Sequence, residues 1–518
     1  MNKKNLLSII YLAMIFLFTG CISKPPNALT LQQMLDDYDY MTKVINAVYP
    51  ADLVNRQIYN IDINKTLTKY RAKITGKETP QQFYELISQS LFACKGNHMW
   101  TNNALATLRT RLFFWSYFPE GLFTNDIDND SIDVNWAYMK ARQTMIRSKP
   151  GIPLLYYKGN YYSKYPFNIG NQEYAAGMKL LAINNIKVSE IISSLQDYLD
   201  CFDYVTKRFY GSMLFPQVGD NFYMLLGNID LNFEFENADR QIQNIILRAN
   251  EDVKSHSPQA PLISSTPIVE LMEINHFLYI RLPEMSMECR NIIQSKLEKI
   301  KDTTYIKAIL LDVRYNRGGN DKVWIDIISL LINKNVKLQG KNAYRDTEMV
   351  KQCLRKENQI KTVPSKIPFL GNQNFLISSY KGAIAPSSKS LKLDVPLFII
   401  TQDVYSSTGG LLSLALANDF IIRIGISNPT SLGKSGNPWF FKLPNSKIIF
   451  SIRPSLDIGN CQTLKDTLHC KVDIEINPTL QEILKFYNTS RNNKSLETSL
   501  IEADPFFMTI QKVCRGIK

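Results

Sequence analysis

Two short apolar runs constrain the fold of the C-terminal half more than any other feature of the chain. Residues 306–313 and 395–401 suit strands buried on both faces, and each run precedes a small-residue turn and a helical pattern. Further elements of the same pattern are expected as strands at 277–282, 420–426 and 448–453, and as helices at 286–301, 323–331 and 409–418. This alternation predicts an αβ core with one mixed sheet over residues 265–515.

The chain before this core has two other kinds of pattern. Residues 30–120 are predicted to be helical, and Thr79 to Gln82 form the capping box that begins one amphipathic helix. Between 150 and 235, short runs rich in Tyr and Phe alternate with Gly and Asn, which is typical of a small β-rich module. Residues 255–267, with their prolines and serines, are expected to link this module to the core. The sequence therefore predicts a mixed α+β protein of three parts.

Composition excludes several classes of protein. The 518 residues are 45% hydrophobic, which is enough for large cores and too much for a disordered chain. The net charge of +13 comes from 60 basic against 47 acidic residues, but the basic residues are scattered, so we expect no nucleic-acid partner. Four isolated histidines and the lack of any Cys-x-x-Cys pair also argue against a zinc site.

The first 29 residues resemble an export signal followed by a tether. Two lysines precede an apolar run at 6–18, which is shorter than the ~20 residues needed to span a bilayer. The sequence Phe-Thr-Gly-Cys that ends at Cys21 resembles the lipobox of bacterial lipoproteins. We therefore expect residues 1–20 to be a signal peptide, Cys21 to carry lipid, and residues 21–29 to tether an extracytoplasmic protein to the membrane. An ordinary signal peptide with a chance cysteine is the alternative.

Two turns could carry chemistry. In the segment 312–320, a Gly-Gly pair follows the strand, so backbone N–H groups can face a cavity as an oxyanion site requires. In the segment 404–411, hydroxyl side chains stand at a strand-to-helix turn, where a serine is exposed beside a helix N-terminus. Alternatively, the first turn is a plain strand exit and the hydroxyls are N-caps.

Together the two turns resemble those of one enzyme family. The residues Asp312, Arg314, Asn316, Gly318 and Gly319 resemble the Asp-Leu-Arg-x-Asn-x-Gly-Gly signature of C-terminal processing (tail-specific) serine peptidases, whose relatives include the tricorn protease core. Further similar elements lie at 96–98, 176–188, 429–434 and 443–447. The resemblance implies a PDZ-like module at 150–235 and a ClpP/crotonase-like αβ catalytic core.

The resemblance also implies a catalytic site of the acyl-enzyme type. Ser407 is our preferred nucleophile. The nucleophile is Ser406 if the alignment demands a preceding aromatic residue, and it is Thr408 if Asp419 is matched to the acid that ends the family's helix. The general base is Lys434 in the tail-specific pattern or His98 in the tricorn pattern. The backbone N–H groups of Gly318, Gly319 and Thr408 are the expected oxyanion donors.

The sequence thus predicts a lipid-anchored serine endopeptidase that acts on polypeptides and needs no metal or organic cofactor. A glutamate that the family often carries three residues after the nucleophile is absent, and Gly410 holds that position if Ser407 is the nucleophile. The second hypothesis is therefore a catalytically inactive peptide- or ligand-binding lipoprotein with the same fold.

Overall fold

The protein is described by a computed structural model. The described residues are 28–96, 99–101, 134–135, 137–138, 152–195, 202–203, 208–209, 230–248, 253–255, 269–300, 302–316, 318–356, 360–402, 404, 406–426, 438–459, 461–467, 471–491 and 496–516.

Twelve α-helices lie in these ranges. They are α1 (Leu31–Val48), α2 (Asp52–Ile58), α3 (Ile63–Arg71), α4 (Pro80–Ala93), α5 (Val188–Leu195), α6 (Met287–Leu297), α7 (Asp321–Leu331), α8 (Glu348–Lys356), α9 (Ser407–Leu414), α10 (Leu480–Arg491), α11 (Leu496–Ala503) and α12 (Pro505–Gly516). Helix α4 begins with the predicted capping box, in which the side chains of Thr79 and Gln82 each accept the other's backbone N–H.

The strands of the same ranges form several sheets. They are β1 (Trp100–Thr101), β2 (Leu154–Tyr157), β3 (Asn160–Ser163), β4 (Phe167–Ile169), β5 (Gln172–Tyr174), β6 (Lys179–Ile183), β7 (Ile186–Lys187), β8 (Phe202–Asp203), β9 (Arg208–Phe209), β10 (Leu231–Glu236), β11 (Ile242–Leu247), β12 (Val253–Ser255), β13 (Glu270–Ile274), β14 (Phe277–Arg281), β15 (Ala308–Asp312), β16 (Val336–Arg345), β17 (Val363–Lys366), β18 (Asn374–Ile384), β19 (Leu397–Thr401), β20 (Ile421–Gly425), β21 (Trp439–Lys442), β22 (Ile449–Ile452), β23 (Ser455–Asp457) and β24 (Ile474–Glu475).

The central sheet has the strand order β13-β14-β15-β19-β20-β24. In this order, each of the strands β14, β15, β19, β20 and β24 is parallel to the next. Strand β13 pairs with β14 as an antiparallel hairpin. Helices α6, α7 and α9 cover one face, and residues of α11 and α12 cover the other. Every residue of β15 and β19 is buried, because both faces of the sheet are covered. The mixed sheet predicted from the apolar runs is confirmed for these strands.

One predicted strand lies in another sheet. The run at 448–453 forms β22, but β22 pairs with β21 and β1 in a separate three-stranded sheet, so its assignment to the central sheet was wrong. All four residues of β22 are buried, as the residues of a strand in the central sheet would also be. The run alone could not distinguish the two sheets, because burial on both faces does not identify the neighbouring strand.

The N-terminal helices share a core with strands from much later in the chain. Side chains of α1, α3 and α4 pack in one cluster with residues of β16, β18, β21 and β22. The buried Asp37 carboxylate on α1 accepts the backbone N–H groups of Asn445 and Ser446, at 2.8 and 2.7 Å. Within the predicted helical range of 30–120, the described helices α1, α3 and α4 are therefore joined to the αβ core by a common apolar cluster, and residues 102–120 lie outside the described ranges.

The β-rich unit has its own apolar core. Strands β11, β10, β6, β3 and β2 form its larger sheet, in that order, and β7 also pairs with β6. Helix α5 packs against β6 and β7, and its residues Ile191 and Ile192 are buried among those of the sheet. The tight turn between β6 and β7 uses Asn184 and Asn185, both with positive φ, as a two-residue type I′ hairpin turn requires.

Candidate active site

The two predicted turns lie side by side at the carboxyl edge of the central sheet. Strands β15 and β19 are parallel neighbours with Asp312 opposite Ile400, so the chain leaves both strands at the same edge. Beyond the strands, the backbone N–H of Tyr315 donates to the carbonyl of Gln402 at 2.8 Å. The segments 312–320 and 404–411 therefore share one side of the molecule, at the edge where open parallel sheets bind ligands.

A buried ionic network holds the start of the first turn. Asp312 receives the Arg314 guanidinium, with a closest N–O distance of 2.6 Å, and the hydroxyl of Tyr279 at 2.7 Å. Arg314 also donates to Asp504 at 2.7 Å. Burial acts to raise the pKa of the Asp312 carboxyl, but Arg314 and the Tyr279 hydroxyl outweigh it and leave this pKa below its ordinary value. The network therefore stays ionised and fixes the backbone from which the glycine pair extends.

Asn316 connects the two turns. It is fully buried, and its amide donates to the carbonyl of Leu282 at 2.8 Å. Its side-chain oxygen accepts the backbone N–H of Gly318 at 2.8 Å and the hydroxyl of Thr408 at 2.7 Å. Thr408 is the second residue of α9, so one amide side chain positions the helix against the glycine pair.

The glycine pair is required by the backbone. Gly319 has a φ of +135°, and a Cβ at this position would lie 2.4 Å from the carbonyl oxygen of Met285. Gly318 has a φ of +88°. The Gly318 N–H donates to the side chain of Asn316, so an oxyanion would have to displace this bond, and the expected role of Gly318 as a donor stays a prediction. Within the described part of the chain, the Gly319 N–H makes no hydrogen bond.

Ser406 occupies a strained position at the entrance to α9. Its φ of 55° and ψ of −126° lie outside the regions that residues with a side chain usually adopt, and its side chain makes no capping hydrogen bond. An ordinary N-cap serine has an extended backbone and accepts an N–H of the first turn. Ser406 therefore matches the sharp strand-to-helix elbow on which nucleophilic serines are exposed, rather than a cap.

The other two candidate hydroxyls are occupied inside the protein. Ser407 is only 7% exposed and donates to Asp321 Oδ1 at 2.5 Å, while the buried Thr408 donates to Asn316. Among the described residues, the Ser406 hydroxyl has no hydrogen-bond partner. Neither Ser407 nor Thr408 acts as an N-cap, so the N-cap alternative fails at all three positions.

Two helix N-termini face this region. Asp321 is the first residue of α7 and Ser407 the first of α9, and the Asp321–Ser407 hydrogen bond brings the two first turns together. Each N-terminus carries unpaired backbone N–H groups and the positive end of a helix dipole. The helix dipoles favour negative charge at this junction, and the Asp321 carboxylate lies there.

The proposed general bases and the lipidation site cannot be placed. Lys434, His98 and Cys21 lie outside the described residues. The chain directly after His98 is described: Met99 is buried, and Trp100 pairs with Ser451.

Sequence reasoning missed two carboxylates of the site. Asp321 directly follows the Gly-Gly-Asn sequence at a helix start, so its proximity to the turn was available from the sequence pattern. Asp504 lies 190 residues after its partner Arg314, and nothing local in the sequence indicates that contact. No group of three or more metal-ligating residues occurs in the described ranges, and no helix there is long and apolar enough to cross a membrane.

Comparison with known proteins assigns the core to a family. Residues 276–452, which contain both turns and the strands beneath them, match the model of Peptidase family S41. By this match, the core is similar to peptidase family S41. The resemblance to C-terminal processing peptidases is thus confirmed for the segment that carries the Asp312 to Gly319 motif.

Solved structures agree on the fold of nearly the whole chain. Mature CPAF matches with a TM-score of 0.56 and 12% identity over 94% of this chain and 98% of that one. Mature CPAF complexed with lactacystin matches with a TM-score of 0.55 and 12% identity, over 94% and 99% of the two chains. No curated protein sequence matches the chain. The fold that the chain shares with mature CPAF therefore extends beyond the segment that the family model covers.

Proposed function

We propose that the protein is a serine endopeptidase of the tail-specific type and that Ser406 is its nucleophile. The observation that carries this proposal is the Ser406 backbone, held at φ 55° between a buried strand and a helix while the neighbouring hydroxyls are bonded elsewhere. Sequence alignment alone favoured Ser407. Its buried hydroxyl and its place inside the helix make it a poorer nucleophile for a large substrate.

Two backbone N–H groups supply the oxyanion site in this proposal. With Ser406 as nucleophile, the donor on its own segment is the N–H of Ser407, the following residue. The second donor is the N–H of Gly319, because Gly318 is bonded to Asn316. These N–H groups stabilise the charge of the tetrahedral intermediate, and removing one such donor typically costs a factor of about 10²–10³ in kcat.

The serine hydroxyl needs a base to take its proton, and two candidates follow from the sequence. A lysine at 434 must be desolvated to be neutral, whereas a histidine at 98 is partly neutral near pH 7 without help. Separate Lys434→Ala and His98→Ala variants identify the base. The variant that lacks it is expected to lose peptide hydrolysis as fully as Ser406→Ala, while the other retains activity.

A groove in the β-rich unit is a candidate binding site for the substrate chain. A cavity of about 800 Å³ lies between β3, β6 and α5, and Ser189 and Ile192 of α5 line it. We expect Ser189→Trp to fill the groove and raise KM for an unfolded polypeptide without changing the labelling rate of Ser406. Glu190→Trp is the matched control, since Glu190 is exposed and does not line this groove.

Labelling with a fluorophosphonate tests the peptidase proposal. We expect the full chain to be labelled, Ser406→Ala to lose the label, and Ser413→Ala to keep it. Ser413 is the matched control because it lies in the same helix, with its hydroxyl bonded to the Gly409 carbonyl. Excess lactacystin, which is bound in one of the CPAF structures, serves as a competitor. Labelling and casein cleavage that persist in Ser406→Ala contradict the assignment, and absence of both in the wild type favours the inactive binding protein.

We also propose that the protein is anchored to a membrane outside the cytoplasm through lipid on Cys21. The support is the sequence order of basic start, apolar run and Phe-Thr-Gly-Cys ending. Metabolic labelling with a fatty acid tests this, because Cys21→Ala is expected to lose the label and leave the membrane fraction. Cys94→Ala is the control, since Cys94 is fully buried. Labelled, membrane-bound Cys21→Ala protein would refute the anchor.

A further inference from the structure

The hydrogen bond between Asp321 and Ser407 is the shortest polar contact that joins the helices α7 and α9 in the described part of the chain. Asp321 Oδ1 accepts the Ser407 hydroxyl at 2.5 Å and the indole N–H of Trp324 at 3.0 Å. Trp324 is 3% exposed and Ser407 is 7% exposed, so both donors are withdrawn from water. Each therefore depends on this one carboxylate oxygen to satisfy its hydrogen-bonding capacity.

Gly410 lies directly against this contact. A Cβ at Gly410 would lie 3.6 Å from both Asp321 Oδ1 and Trp324 Nε1, so the carboxylate and indole lie against the bare backbone of α9. The contact therefore seats the first turn of α9 directly on α7. Ser406 immediately precedes that turn, and the N-cap Asn320 alone separates the Gly318–Gly319 pair from the start of α7.

We infer that Asp321 is a positioning residue that holds the Ser406 elbow against the glycine turn. It acts through Ser407 and does not itself touch the reacting atoms. The inference rests on the proposed nucleophile. It assigns a role to Ser407 other than nucleophile, and it explains why the hydroxyl directly after Ser406 is buried. Asn316 aligns the same turns from the other side through Thr408, so the elbow is held at two consecutive residues.

The alternative arrangement uses the same contact differently. If Ser407 were the nucleophile, Asp321 would be its general base, because a hydroxyl at 2.5 Å from a carboxylate is within proton-transfer distance. The two arrangements make opposite predictions. A base is essential and cannot be replaced by an amide, whereas a positioning acceptor can be replaced, since the Asn side-chain oxygen also accepts hydrogen bonds.

The test compares kcat and fluorophosphonate labelling rates of the full chain with those of Asp321→Ala, Asp321→Asn, Ser407→Ala and the double alanine variant. We expect Asp321→Ala and Ser407→Ala each to lower kcat and labelling by about 10- to 100-fold, the range that a misplacement of about 1 Å can cause. KM stays unchanged, the double variant is no worse than either single variant, and Asp321→Asn is close to wild type. Asp326→Asn is the matched control, because Asp326 lies on the same helix and pairs with Arg290 and Lys322 instead.

Each other outcome overturns the inference. Wild-type kcat in Asp321→Ala, or additive losses in the double variant, removes the positioning role while leaving the proposed nucleophile intact. Complete loss of labelling in both Ser407→Ala and Asp321→Asn, with Ser406→Ala still labelled, identifies Ser407 as the nucleophile. Absence of labelling in the wild type refutes the proposed function and this inference with it. Because Asp321 is exposed on its outer side, its variants are expected to fold, which the thermal unfolding midpoint verifies.

Discussion

Replacing Asn316 by alanine tests the connection between the two turns most severely. The substitution removes three hydrogen bonds and leaves the Gly318 N–H and the Leu282 carbonyl without their partner, while the Thr408 hydroxyl keeps only its longer contact, of 3.4 Å, with the backbone carbonyl of residue 316. All three groups are buried, and each buried group that loses its partner costs about 1–3 kcal/mol. Asn316→Ala should therefore lower the free energy of unfolding of the core by at least about 2 kcal/mol.

Thr408→Val isolates one of these three bonds. It keeps the shape of the side chain and removes only the hydroxyl, so Asn316 retains its bonds to Gly318 and Leu282. The expected loss is about 1 kcal/mol. Asn374→Ala is the surface control, because Asn374 is exposed at the start of β18, and its effect should lie within about 0.5 kcal/mol of zero.

Urea denaturation followed by tryptophan fluorescence measures these differences, since Trp324 and Trp439 are buried in the two largest apolar clusters. The order expected for the loss of stability is Asn316→Ala, then Thr408→Val, then Asn374→Ala. The labelling rate of Ser406 should fall in the same order. If Asn316→Ala costs no more than Thr408→Val, the amide does not connect the turns, and the reasoning about this site is refuted.

Three further outcomes follow from the buried groups. Arg314→Met should destabilise the protein by about 3–5 kcal/mol, because it leaves the buried Asp312 and Asp504 carboxylates without their cation; an unchanged melting temperature would contradict this. Since the pKa of Asp312 is lowered in the fold, its contribution to stability is present above about pH 4 and is lost as pH falls further, so melting temperatures of wild type and Asp312→Asn should converge in acid. Burial raises the pKa of the Cys94 thiol to about 12, so iodoacetamide should modify Cys94 only after unfolding, and rapid alkylation of the native protein would be inconsistent with the fold.

Strand and helix placement in the core could be predicted from the sequence because burial leaves a clear pattern. The runs at 306–313 and 395–401 became β15 and β19, since a strand covered on both faces must be apolar throughout. The run at 448–453 is equally apolar, yet it lies in another sheet. Hydrophobic periodicity indicates burial and does not indicate which neighbour provides it.

The candidate site was predictable as a region but not residue by residue. Gly319 could be singled out from the sequence because glycine is typical of turns with a positive φ, which this residue has in the structure. A serine at a strained strand-to-helix elbow could likewise be expected from the sequence pattern. Sequence cannot show which of three consecutive hydroxyls has the positive φ. That depends on how β19 and α9 meet, and Ser407 was preferred because alignment weighs residue type alone. Asp504 was missed for a different reason: its partner Arg314 is distant in sequence and adjacent only in the fold.

Mass-spectrometric mapping of the fluorophosphonate adduct on the full chain tests the central assignment most directly. Fragment ions that bracket Ser406 and Ser407 separate the two adjacent hydroxyls. The geometry predicts that the added mass is on Ser406 and that Ser407 and Thr408 are unmodified. An adduct on Ser407, or on a serine outside this turn, would contradict the assignment of the elbow as the catalytic nucleophile.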